Sequence, residues 1–322
     1  MKTGASAKLD QQKNHYLAEL SHRIAESNEQ NPTVRCWSAN GLKELLTQIR
    51  TELLKKKKTL TNSFPRSDSI LSWLQENGLA YRLPVTPGSS AKKVASFYLL
   101  EVGAGPNSVV SPFELLQAFQ PAGVICYFSA LSFHGLTTQV PAFHHSALLV
   151  RRPPPEPVLD TPEREDTNEP KVARSGLGSL AFTYGETAYY STRRYIDLVP
   201  GTQLHVLDQR IRLRVTDLEQ TILDTLAHPG ASGGQAVVFE AWAQGWGRVR
   251  PATIVSHLKA MGLPLTRRFG AISRVLQLQL DEQIASYLDS ARTASIGRPA
   301  INLFRGQPSQ SLDPDWNVLV PL

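Results

Sequence analysis

The chain has 322 residues, 41% of them hydrophobic, enough for two domains with ordinary apolar cores. No apolar stretch approaches the ~18 residues a membrane-spanning helix needs, and MKTGASAKLDQQKNHY lacks the apolar run of a secretory leader; a soluble, cytoplasmic protein is expected. The net charge of +6 is uneven: residues 1–100 hold 15 Lys+Arg against 8 Asp+Glu, residues 101–200 hold 7 against 10, and residues 201–322 hold 12 against 10. A basic excess at one end points to a polyanion such as DNA, although it also aids solubility.

In chain order, residues 9–28 suit a helix with Leu17, Leu20 and Ile24 at helical spacing. Residues 41–57 suit a stronger one, with Leu42, Leu45, Leu46, Ile49 and Leu53 on one face and a run into Lys55, Lys56, Lys57 and Lys58. A third helix is expected in SDSILSWLQENG, capped by Ser67 or Asp68 and stopped at Gly78. Two strand-like runs follow, Ala80–Val85 and Val94–Leu100, joined by TPGSSAKK. Helix, turn, helix, hairpin is the order of a winged helix-turn-helix, expected over residues 36–105 behind a partly helical extension, 1–35. In such a module the second helix enters the major groove and the hairpin touches flanking backbone. Arg66, Ser67, Ser69, Ser72 and Gln75 could then face bases or phosphate. Lys92 and Lys93 stand at the hairpin tip, and Lys55 to Lys58 add affinity without sequence information.

LLEVGAGPN (99–107) resembles a cofactor-binding glycine turn, but Ser108 stands at the third glycine position and Pro106 where a helix should open. A turn between domains is the better reading, and no cofactor is expected. SPFELLQAF (111–119) suits a helix capped by Ser111 with Pro112 at its first position. Val124–Leu136 suits a buried helix and residues 143–150 a strand. His144 and His145, adjacent in that strand, face opposite ways and cannot simply chelate one ion. Cys36 and Cys126 are in no metal-ligand spacing, and reduced thiols are expected. Residues 152–176, with six prolines and six acids in PPPEPVLDTPEREDTNEP, have the composition of a mobile loop. Strand runs resume at 179–184, and 203–207 with 211–215 suit a hairpin.

TDLEQTILDTLAHP (216–229) carries a T-x-x-E capping box, Thr216 with Glu219, so its acids have a structural explanation. Helices are expected over 217–228, 234–245, 251–261 and 266–279, and an extended tail over 286–322. No catalytic motif is present, and no enzyme is expected.

YFSALSFHGLTTQVP (127–141), IRLRVTDLEQTILDTLAHPGASGG (211–234) and LTRRFGAISRVL (265–276), taken in order, resemble signatures of AbiEi-type antitoxins. The resemblance carries His134, Asp217, Glu219, Asp224, Arg267, Arg268 and Gly270 as marks of the fold. It implies an α+β chain in which an N-terminal winged helix is followed by a mixed helix-and-sheet domain over 106–285. It also implies an antitoxin of a bacterial type IV toxin–antitoxin (abortive-infection, phage-defence) system. Such a protein binds double-stranded operator DNA, represses its own operon and opposes a nucleotidyltransferase toxin, as a monomer or homodimer. Two features depart from the family pattern, the longer N-terminal region and the acidic loop. They leave a second reading, a protein-interaction or non-specific nucleic-acid-binding subunit of a mobile-element or defence system.

Overall fold

The computed structural model describes residues 4–25, 35–56, 66–88, 96–152, 177–208, 211–304 and 311–321. It is a mixed α+β fold that divides into two units. The first comprises Met1–Ala122, Leu180–Ala188 and Leu204–Leu213; the second comprises Gly123–Ser179, Tyr189–Gln203 and Arg214–Leu322. Among the described residues no helix is long and apolar enough to cross a membrane.

The first unit opens with α1 (Gly4–Ala25), β1 (Cys36–Ser38), α2 (Ala39–Lys56) and α3 (Ser67–Glu76). Leu42, Leu46, Ile49 and Leu53 of α2 meet Ile70, Leu71 and Leu74 of α3 and Tyr16 and Leu20 of α1 in one buried cluster. The three- and four-residue spacing that builds each amphipathic helix also builds this core. After α3, Gly78 takes φ 64, and the amides of Gly78 and Leu79 return to Gln75 and Leu74. This left-handed stop suits glycine. The start of α3 differs from expectation. Neither Ser67 nor Asp68 caps it; Arg66 is the N-cap residue and makes no side-chain cap bond. Ser67 Oγ lies 2.8 Å from Thr47 Oγ1 on α2, and Asp68 pairs with Lys43 Nζ at 2.9 Å. Partners on α2 have taken both side chains that local capping would use.

The expected strand over 80–85 is also divided. β2 (Ala80–Leu83) pairs antiparallel with β4 (Phe97–Leu100), whose other edge takes β1. Pro84 has no amide to continue the ladder, and β3 (Val85–Pro87) pairs instead with β7 (Ser179–Tyr184). Here Phe182 packs on Phe97 and Phe119, with ring centroids 4.9 and 5.6 Å apart. α4 (Pro112–Phe119) has its capping box: Ser111 accepts from the Phe113 amide, and Glu114 accepts from the Ser111 amide at 3.2 Å.

In the second unit, Val124–Leu136 is not one helix. Val124 and Ile125 form β5, antiparallel to β6 (Phe143–Val150) and parallel to β10 (Arg212–Thr216). The helix that follows, α5, is only Tyr127–Phe133. Two β-branched residues between sheet neighbours prefer the ladder to a helical turn. β8 (Thr187–Tyr195) flanks β6 on its far side, and β9 (Thr202–Val206) neighbours β10 as the expected hairpin, of which Leu204–Leu213 belongs to the first unit. α7 (Gln235–Gly245), α8 (Pro251–Met261) and α9 (Leu263–Val275) pack on α6 (Leu218–Ala227) around one apolar core.

The tail is not extended. α10 (Glu282–Ser295) buries Ile284, Leu288 and Ala291, and β11 (Ile301–Asn302), β13 (Val318–Val320) and β12 (Ser311–Asp313) form a small sheet in that order. Trp316 and Val318 enter the main core beside Phe269 and Trp242. Gly270 of α9 faces the Trp316 ring so closely that any Cβ there would collide with it. Gly270→Ala is therefore expected to destabilise by about 1–3 kcal/mol. Gly230→Ala, where a Cβ would meet open space, should leave the thermal midpoint in place; equal midpoints for the two variants would refute the close-approach account.

Candidate functional site

Two regions bring together the residues singled out by sequence. The first is the outer face of α3. Ser69, Ser72 and Gln75 are exposed along it, Arg66 is exposed just before it, and Ser67 is half-buried. Burial of Ile70, Leu71 and Leu74 against α2 fixes which face remains outside. Lys55 is exposed near the end of α2, and Lys56 is its last residue. Lys57, Lys58, Lys92, Lys93 and nearly all of the acidic loop over 152–176 lie outside the described residues.

The second region is a buried polar network in the second unit, centred on α6. The Arg194 guanidinium of β8 donates twice to Asp224, at 2.5 and 2.7 Å, and both side chains are wholly buried. Gln220 also donates to Asp224, at 2.8 Å. The other face of Arg194 lies 5.1 Å from the centre of the Tyr127 ring. Tyr127 begins α5 with φ 56, a left-handed conformation unusual for a bulky residue. Arg194, His145 and His228 hold its ring, the two imidazoles at 5.5 and 5.0 Å.

The expected capping box at Thr216 does not form, and the N-cap lies one residue further on. Asp217 is the N-cap and accepts from the Gln220 amide at 2.7 Å. Thr216 ends β10, and its hydroxyl meets that of Thr221 at 2.7 Å. Glu219 faces Arg250 and accepts from its backbone amide and guanidinium at 2.8 to 2.9 Å. His257 Nε2 stands 3.0 Å from the Asp217 carboxylate. Burial alone would raise the Asp217 pKa; the His257 and Gln220 hydrogen bonds, with the charges of His257 and Arg250, outweigh it and hold it below the usual carboxylate value. Glu219 is likewise lowered against its burial, chiefly by Arg250. A Cβ on Gly201, just before β9, would collide with both Asp217 and His257, so the chain approaches this pair as only glycine can.

The remaining signature residues also hold the fold. His134 follows α5 and donates from Nε2 to the Thr216 carbonyl at 2.7 Å. Arg267 is buried and donates to the carbonyls of Trp316, Pro299 and Asn317, and Arg268 donates to that of Asn302. These arginines fasten α9 to the C-terminal sheet. His144 and His145 are both buried, on opposite faces of β6. Burial pushes each pKa down to about 4, so both imidazoles are neutral near pH 7.

Among the described residues no group of three or more His, Cys, Asp or Glu could hold a metal ion. A groove of about 620 Å³ opens between α8 and α10, and its charged group, Lys259, lies over the Tyr287 ring. Sequence reasoning missed Arg194, Tyr127, Arg250 and His257. For Arg194 a signal existed: it falls two residues after buried Thr192 in a strand, where the side-chain period is two.

No family model matches the chain, and no curated protein matches it. Among solved structures it is similar to the RV2827C protein from Mycobacterium tuberculosis, at 12% identity over 94% of this chain and 90% of that one, with a TM-score of 0.49.

The buried network yields two predictions. Arg194→Met strands the Asp224 charge and is expected to cost about 3–5 kcal/mol in urea unfolding, whereas Arg194→Met with Asp224→Leu recovers much of that loss. A double variant no better than the single one would contradict this. For the histidines, a folded pKa below the unfolded value means that stability is present above about pH 6.5 and falls as pH drops toward about 4. His144→Asn with His145→Asn should flatten that part of the stability–pH curve; an unchanged slope would count against the burial account.

Proposed function

We propose that this chain is a DNA-binding transcriptional autoregulator and antitoxin of the AbiEi type, opposing a nucleotidyltransferase toxin, and that it is not an enzyme. The observation that carries the reading is the outer face of α3, where Ser69, Ser72 and Gln75 stand exposed on a short helix backed firmly by α2. The order α2, α3, β2, β4, with β1 in the same three-stranded sheet, supports reading this unit as a winged helix-turn-helix, and the second helix of such a module enters the major groove. Arg66 at the head of α3 and Lys55 at the end of α2 are exposed cations suited to phosphate contact. In this reading the second unit is held rigid by its buried ion pairs and acts without chemistry of its own.

A second reading, a protein-interaction subunit of a defence or mobile-element system, is favoured by Val102 and Val109. Both are 85% exposed on the segment between β4 and α4.

The test is binding of the full chain to duplex from its own upstream DNA against a scrambled duplex, at two salt concentrations. Preference for the upstream duplex that persists at the higher salt is expected. Arg66→Ala should weaken binding to both duplexes and lessen the salt dependence, whereas Ser69→Ala with Gln75→Ala should mainly erode the preference. Failure of the wild type to bind either duplex would overturn the reading and favour the second one.

A further inference from the structure

We infer that β9 is a homodimer interface. The open edge of the seven-stranded sheet pairs antiparallel with β9 of a second copy about a two-fold axis, Leu204 opposite Leu204 and Thr202 opposite Val206. The interface does not depend on whether α3 binds DNA.

Among the described residues β9 is the last strand at one edge of that sheet, and β3 is the last at the other. A bare edge is a row of unpaired amides and carbonyls, and native sheets blunt it with short strands, proline or charged side chains. β3 is blunted: it has three residues and ends in Pro87, with Pro84 just before it. β9 is not. Its five residues, TQLHV, include no Pro, Gly, Lys, Arg, Asp or Glu.

The hydrogen bonds at the two ends of β9 fix which backbone groups face outward. The Leu207 amide donates to the Ile211 carbonyl at 2.9 Å, and the Asp217 amide to the Gly201 carbonyl at 3.1 Å. Backbone groups of successive strand residues alternate between the two sides. Gly201, Gln203, His205 and Leu207 therefore face β10, and Thr202, Leu204 and Val206 present amide and carbonyl to the open side.

A second copy is the partner these residues fit. The three outward residues, centred on Leu204, form a self-complementary row, as a two-fold interface requires. Leu204 exchanges both bonds with its counterpart, and Thr202 does so with Val206 on either side of it. Gln203 then stands opposite His205, and no carboxylate, lysine or arginine of the strand meets another. Apolar residues lie bare at both ends. Val206 and Leu207 are 61% and 53% exposed, and Ile196, in the segment that leads into β9, is 55% exposed. Antiparallel pairing sets the Val206 end of one copy beside the Thr202 end of the other, so each chain covers apolar surface that the other leaves bare.

The experiment is sedimentation velocity of the full-length wild type, Leu204→Pro and Val206→Lys over a range of protein concentrations, with thermal melting to check that each is folded. The wild type is expected to pass from monomer to dimer as concentration rises. Proline at 204 removes an outward amide from each copy and no bond to β10, and should raise the dimer dissociation constant at least about tenfold. Val206→Lys places a charge on the edge and should shift it in the same direction; this variant decides the matter if Leu204→Pro does not fold. A wild type that stays monomeric at every concentration overturns the inference, and so does a dimer that no folded variant weakens.

Discussion

The Arg194–Asp224 pair fixes the second unit. Two fully buried opposite charges, joined by two hydrogen bonds, tie strand β8 to helix α6. Removing a charge of this kind from water is costly, and the cost is met only when the geometry is good and neighbouring groups fill the remaining sites. Gln220 supplies one such bond to Asp224, and the Tyr127 ring covers the guanidinium. At the turn into α5, Tyr127 takes a φ of 56, and Arg194, His145 and His228 pack around its ring.

The rest of the network repeats the logic along α6. Asp217 caps the helix and receives His257; Glu219 in its first turn receives Arg250 from the segment leading into α8. A single ten-residue helix thus takes a strand, a neighbouring helix and a connecting segment as ionic partners, while Ile222, Leu223 and Leu226 enter the apolar core. The arginines of α9 perform a similar task with backbone carbonyls, binding the C-terminal sheet to the core. Asp217, Glu219 and Asp224 each hold a second element to α6.

The first unit divides its surface differently. Its helices bury one face each and leave on α3 a short row of polar side chains whose hydrogen-bonding capacity is already partly assigned by α2. Arg66, just before α3, and Lys55, near the end of α2, are exposed cations of the same unit.

Amphipathic periodicity and local stop signals are properties of neighbouring residues, and these were legible without coordinates. The leucine spacing of α2, Gly78 after α3, the Ser111 cap of α4 and the spacing around α6 all correspond to observed elements. The pattern of Ile284, Leu288 and Ala291 was equally present, but the Pro, Gln and Ser around it obscured α10. Other features depend on partners distant in the chain. Val124 and Ile125 became a strand because β6 and β10 flank them. Ser67 and Asp68 left the cap for Thr47 and Lys43, and the start of α6 moved by one residue as Thr216 finished β10. Arg194 shows the difference most clearly: its strand position indicates which side it faces, but nothing local in TAYYSTRRY indicates that a carboxylate 30 residues later will neutralise it. Local chain chemistry sets where elements begin and which faces are apolar; long-range pairing settles which polar groups meet, because only assembly in three dimensions removes water from both partners at once.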